Sequence, residues 1–69
     1  MSAFSDRLLE LRKSHGLSQK SVAKEIGTDV RVYQRYEYGE REPQISTFFR
    51  LADFYGVSLD YLAGRTDTP

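Results

Sequence analysis

The chain has 69 residues, of which 39% are hydrophobic, and it contains no cysteine. One domain of this size buries only about 60% of its unfolded surface, and the missing thiols exclude a disulfide scaffold or a thiolate metal site. Ten basic residues balance ten acidic ones, the charges are scattered rather than blocked, and no apolar run approaches membrane-spanning length, which argues against disorder and against a membrane protein.

In chain order, the pattern predicts five helices and no strand. The first begins after Ser2 or Ser5 and covers about residues 3–14, with Phe4, Leu8 and Leu11 at the spacing of one buried face. Lys13 and His15 suit its negative end, and Gly16 stops it. Leu17 enters the core just before Ser18, which caps a second helix over about 19–26 carrying Val22, Ala23 and Ile26 inward. Gly27 closes that helix and Asp29 caps a third, over about 30–38, which ends at Gly39. Pro43 disfavours helix at Glu42. A fourth helix follows over about 45–55, with Ile45, Phe48, Phe49, Ala52 and Tyr55 as its apolar stripe and Gly56 as its stop. Ser58 caps a short fifth helix over about 59–63, ended by Gly64, and residues 65–69 are expected to fray.

Rotating 100° per residue sorts the third helix into two faces. Tyr33 and Tyr36 fall together, flanked by Val32 and Glu37, while Gln34, Tyr38, Arg31 and Arg35 occupy the opposite arc and Val30 stands at the border. Aromatics inward and guanidinium and amide groups outward are what a reader of the DNA major groove needs. Arginine can donate two hydrogen bonds to guanine, glutamine can pair with adenine, and valine can touch a thymine methyl.

At Ser18 to Gly39 the chain resembles the helix-turn-helix of phage repressor and Cro proteins, with Gln19 opening the first of the two helices, Ala23 at their close crossing and Gly27 in the turn. The resemblance continues through Arg7-Leu8-Leu9-Glu10-Leu11-Arg12, Tyr36-Glu37-Tyr38-Gly39-Glu40-Arg41-Glu42-Pro43, Leu51-Ala52-Asp53 and Gly56 to Arg65. It implies an all-α, lambda-repressor-like five-helix bundle that binds double-stranded DNA as a transcriptional regulator, a repressor by analogy, and as a homodimer on a pseudo-palindromic operator. Carried onto this sequence, it implies base contacts by Val30, Arg31 and Arg35, which Gln34 joins by its place on the outer arc. Gln19 is expected to grip a phosphate at a helix N-terminus, with Lys20, Tyr38 and Arg41 as further phosphate contacts. Arg12 and Glu37 correspond to an ion pair that holds the reading helix to the scaffold. Three positions depart from the family's usual residues: Tyr33 replaces an aliphatic, Tyr38 an asparagine, and Asp29 a hydroxyl residue.

Phe54, Leu59, Tyr61 and Leu62 are candidates for a dimer surface, because the short last helix cannot hide all its apolar side chains. From Arg12 to Arg41 seven basic residues outnumber four acidic ones, so the overall neutrality conceals a local positive excess facing phosphate. His15 has no neighbouring ligand set, no glycine-rich phosphate loop or nucleophile–base pair is visible, and neither catalysis, metal, cofactor nor small-molecule ligand is expected. Met1-Ser2-Ala3-Phe4 lacks the features of a secretory signal, so a cytoplasmic location is expected. The competing readings are an antitoxin or other protein-interaction module on the same fold and, more remotely, a small enzyme or sensor.

Overall fold

The computed structural model describes residues 3–69. Its described residues form α1 (Ala3–Ser14), α2 (Gln19–Glu25), α3 (Val30–Glu37), α4 (Ile45–Tyr55) and α5 (Leu59–Leu62). Ser2 as a cap for α1 lies outside the described residues; Ser5 lies inside α1 and is fully buried. The expected ends at Ile26, Tyr38 and Ala63 are the C-caps of α2, α3 and α5 rather than their last helical residues.

Local chemistry sets the helix starts. Ser18 Oγ accepts from the Ser21 amide at 3.0 Å, Asp29 Oδ1 from the Arg31 amide at 2.8 Å, and Ser58 Oγ from the Tyr61 amide at 3.0 Å. Each satisfies one N–H that the helix itself cannot pair. Between α2 and α3, Gly27 takes φ +73° and the Thr28 amide reaches back to the Ala23 carbonyl at 2.9 Å. That left-handed residue turns the chain in three positions, and this brings α3 back across α2.

The core is assembled from every helix. α2 packs on α3, α1 on both α3 and α5, and α4 on α5. Leu8, Val22, Tyr33, Leu51 and Leu62 are completely buried at its centre. At roughly 25 cal/mol per Å² of apolar surface removed from water, burial of each such aliphatic side chain contributes about 1.5–3 kcal/mol. Gly64, at φ +79°, lies so close to α1 that a Cβ there would stand 2.4 Å from the Ala3 Cβ, which joins the end of the bundle to its beginning.

Two expectations are corrected by this packing. On α4, Ile45 and Phe49 are surface residues, 65% and 45% exposed, whereas Leu51 is wholly buried. The buried arc of α4 runs through Leu51, Ala52 and Tyr55 with Phe48 at its margin, and Ile45 and Phe49 lie off that arc, one turn apart. Leu62 cannot serve a dimer surface, because α5 turns it fully into the core against α1 and α4. At the tail, Arg7 donates to the Thr66 carbonyl at 3.5 Å and to Asp67 at 3.4 Å while its guanidinium lies 3.9 Å above the Tyr61 ring.

Candidate nucleic-acid interface

The helix-turn-helix geometry gives α3 one sealed side and one open side. Tyr33 and Tyr36 pack edge to face with ring centroids 6.5 Å apart, and both are buried, as is Glu37. Arg31 and Arg35, one turn apart, are exposed. Among the described residues neither guanidinium takes part in a hydrogen bond or ion pair, so both are free to donate outward. Tyr38, 53% exposed, extends the same face, and Lys20 and Arg41 are also exposed. Val30 is half-buried and packs against the core, so only part of its surface is open.

Behind this face runs a chain of polar contacts that links three helices. Arg12 on α1 donates from Nε to Glu37 Oε2 at 2.6 Å and from Nη2 to Glu37 Oε1 at 3.1 Å, and its Nη1 donates to the Leu17 carbonyl at 2.9 Å. The pairing expected of Arg12 and Glu37 is therefore bidentate, and the Glu37 side chain is only 1% exposed. Gln19 Nε2 donates to Glu37 Oε1 at 3.1 Å, and Gln34 Nε2 donates in turn to Gln19 Oε1 at 3.0 Å. Gln19 and Gln34, expected to contact phosphate and base, are thus joined to each other and tied to the buried carboxylate. Both remain half-exposed. Sequence reasoning missed this linkage: Gln19 and Gln34 lie on different helices, and only the crossing of α2 and α3 brings their amides together.

The electrostatics follow from the burial. Loss of water alone would push the Glu37 carboxyl up, but the Arg12 hydrogen bonds, the Tyr33 hydroxyl nearby, the Gln19 amide and the Arg12 charge together hold it below the usual carboxylate range. The same contact with Glu37 raises Arg12. Burial, followed by the nearness of Glu37 and Tyr55, pushes Tyr33 far up, and burial likewise raises Tyr55. The Tyr33 and Tyr55 hydroxyls are enclosed without a hydrogen bond of good geometry, the consequence of placing phenols where an aliphatic core would need no partner. His15 is occupied locally, with Nδ1 donating to the Leu11 carbonyl at 2.8 Å and its ring set against Tyr55. Among the described residues no cluster of three His, Cys, Asp or Glu could hold a metal ion, and no helix is long and apolar enough to cross a membrane.

This arrangement of a capped supporting helix, a tight turn and a second helix with a free cationic face defines a class. The helix-turn-helix family profile matches residues 8–62, and the chain belongs to that family, in its phage repressor and Cro branch with the lambda-repressor-like fold. It is 38% identical over 66 residues to the uncharacterized HTH-type transcriptional regulator YobD of Bacillus subtilis, an alignment that covers 96% of this chain and 59% of that protein. It is 37% identical over 65 residues to RstR, the cryptic phage CTXphi transcriptional repressor of Vibrio cholerae, covering 94% of this chain and 59% of RstR. The crystal structure of a transcriptional regulator from Listeria innocua superposes with a TM-score of 0.85 at 34% identity, over 88% of this chain and 57% of that one. The chain therefore spans a little over half the length of these relatives.

Proposed function

We propose that this chain acts in the cytoplasm as a sequence-specific, double-stranded DNA-binding transcriptional regulator, and that it represses by occupying an operator. α3 enters the major groove, where Arg31 and Arg35 donate to base edges, Val30 meets a thymine methyl at its open side, and Gln34 joins them. The N-terminus of α2 approaches a phosphate with Gln19 and Lys20, and Tyr38 and Arg41 contact the backbone on either side. The observation that carries this reading is the exposure of two unpaired guanidiniums on one face of a helix whose other face is locked to α1 through Arg12 and Glu37.

Phe54 and Leu59 are 37% and 38% exposed, and they offer apolar surface for a second copy, with half-buried Tyr61 at its edge. A homodimer built there sets its two reading helices one helical turn of duplex apart, about 34–36 Å, on a pseudo-palindromic site. The chain performs no catalysis in this scheme. Selection of bound duplexes from a random pool tests it. The expected result is a two-fold symmetric consensus whose binding, in a mobility-shift assay, survives excess random DNA at physiological salt. Recovery of no preferred sequence, with a stoichiometric protein partner instead, would overturn it in favour of an interaction module of the antitoxin kind.

A further inference from the structure

The polar chain behind α3 has a direction. An ionised carboxylate offers only acceptors and an arginine only donors, so Glu37, with both oxygens already receiving Arg12, can meet Gln19 only if that amide turns its NH₂ inward. Gln19 is thereby obliged to turn Oε1 towards Gln34, and Gln34 must answer with its own NH₂, as the 3.0 Å contact from Nε2 to Gln19 Oε1 records. A free glutamine can flip its amide end for end at little cost; Gln34 cannot flip without setting two carbonyl oxygens against each other. Its carbonyl oxygen and one remaining N–H are the polar capacity left over.

We infer that Glu37, acting through Gln19, fixes the amide of Gln34 with its oxygen forward, so that Gln34 accepts from an amino-bearing base edge and discriminates against carbonyl edges. Adenine suits this amide best: its N6 amino group donates to Oε1 while N7 accepts the remaining N–H. Cytosine offers the amino donor alone and ranks second. Guanine and thymine present only acceptors there, so O6, N7 or O4 can take the one remaining N–H but leave Oε1 without a donor. The same polarity gives a phosphate, whose oxygens also only accept, a single N–H and leaves Oε1 unused. Gln19 is a positioning residue in this account, and Gln34 is the residue that sets specificity at one base of each half-site.

The inference rests on the DNA-reading role proposed above, and one set of selections separates the two. The unmodified chain, Gln34→Ala and Gln19→Met are each used to select duplexes from a random pool. The unmodified chain is expected to yield one half-site position rich in adenine, then cytosine, on a single strand, favoured about 5- to 150-fold over guanine or thymine, the range of a good bidentate base contact. Gln34→Ala removes the preference at that position alone. Gln19→Met leaves Gln34 in place but frees its amide to flip, so guanine and thymine become tolerated there while the rest of the consensus persists. Should Gln19→Met fold poorly by circular dichroism, Gln34→Ala at its half-exposed site still decides. A consensus unaltered by Gln34→Ala, a preference for guanine or thymine at the dependent position, or an unrelaxed adenine preference in folded Gln19→Met would each overturn the inference. No consensus from the unmodified chain would overturn the DNA-reading role itself, and this inference with it.

Discussion

α3 and α4 are almost opposites. α3 is rich in polar and charged residues, yet its inner side is the more tightly specified: Tyr33, Tyr36 and Glu37 are buried and Glu37 is held by contacts from two other helices. α4 carries the longer apolar stripe, yet two of its large side chains, Ile45 and Phe49, stand in solvent. The difference teaches that the apolar content of a helix does not measure how firmly it is placed. A buried carboxylate with three donor contacts to match fixes rotation and register, because any other setting leaves a charge without water or partner.

The sharpest way to break this contrast is to remove the carboxylate. Glu37→Ala should lower stability by about 3–5 kcal/mol, since it strands the Arg12 guanidinium and the inward amide of Gln19. Exposed Glu40→Ala should stay within about 0.5 kcal/mol. Equal melting temperatures for the two variants would show that the pair contributes nothing. Within α4, Leu51→Ala should cost about 2–5 kcal/mol for a fully buried leucine, whereas Ile45→Ser should cost less than about 1 kcal/mol; urea titrations of both measure whether the buried arc is rightly drawn.

On the open side of α3 the expected signature is reversed. Arg31→Ala and Arg35→Ala should leave the melting temperature nearly unchanged and cost about 1–3 kcal/mol of discrimination at one base position each. Loss of stability instead of specificity would mean that these guanidiniums belong to the scaffold. The smallest effect concerns acid. The folded Glu37 carboxyl sits below its ordinary value of 4.5, so its contribution to stability is present above that pH and is lost as pH falls through the lower folded value. Glu37→Gln should therefore flatten the acid limb of a stability profile below about pH 4.5, and a limb of unchanged slope would assign acid sensitivity to other carboxylates.

Much of the fold was legible because helix ends are written locally. Ser18, Asp29 and Ser58 cap the helices they were expected to cap, since a hydroxyl or carboxylate next to an amphipathic run needs no tertiary information to act. Arg12 with Glu37 was legible only through family resemblance, being 25 residues apart in sequence. What escaped was set by neighbours. Ile45 and Phe49 fit a helical stripe as well as Leu51 does, and only the position of α5 and α1 decides which arc is covered. Leu62 likewise looked too exposed on so short a helix until α1 closed over it. The amide relay through Gln19 and Gln34 depends on a crossing of two helices that no spacing within either could reveal.

The meeting of Gly64 with Ala3 carries a consequence for dynamics. The two extremities of the bundle close on one another like the ends of a clasp, so neither can peel back without releasing its counterpart. Amide hydrogen exchange in the first turn of α1 should thus rise and fall together with exchange in α5, and Gly64→Ala, which drives a methyl into that seam, should quicken both at once.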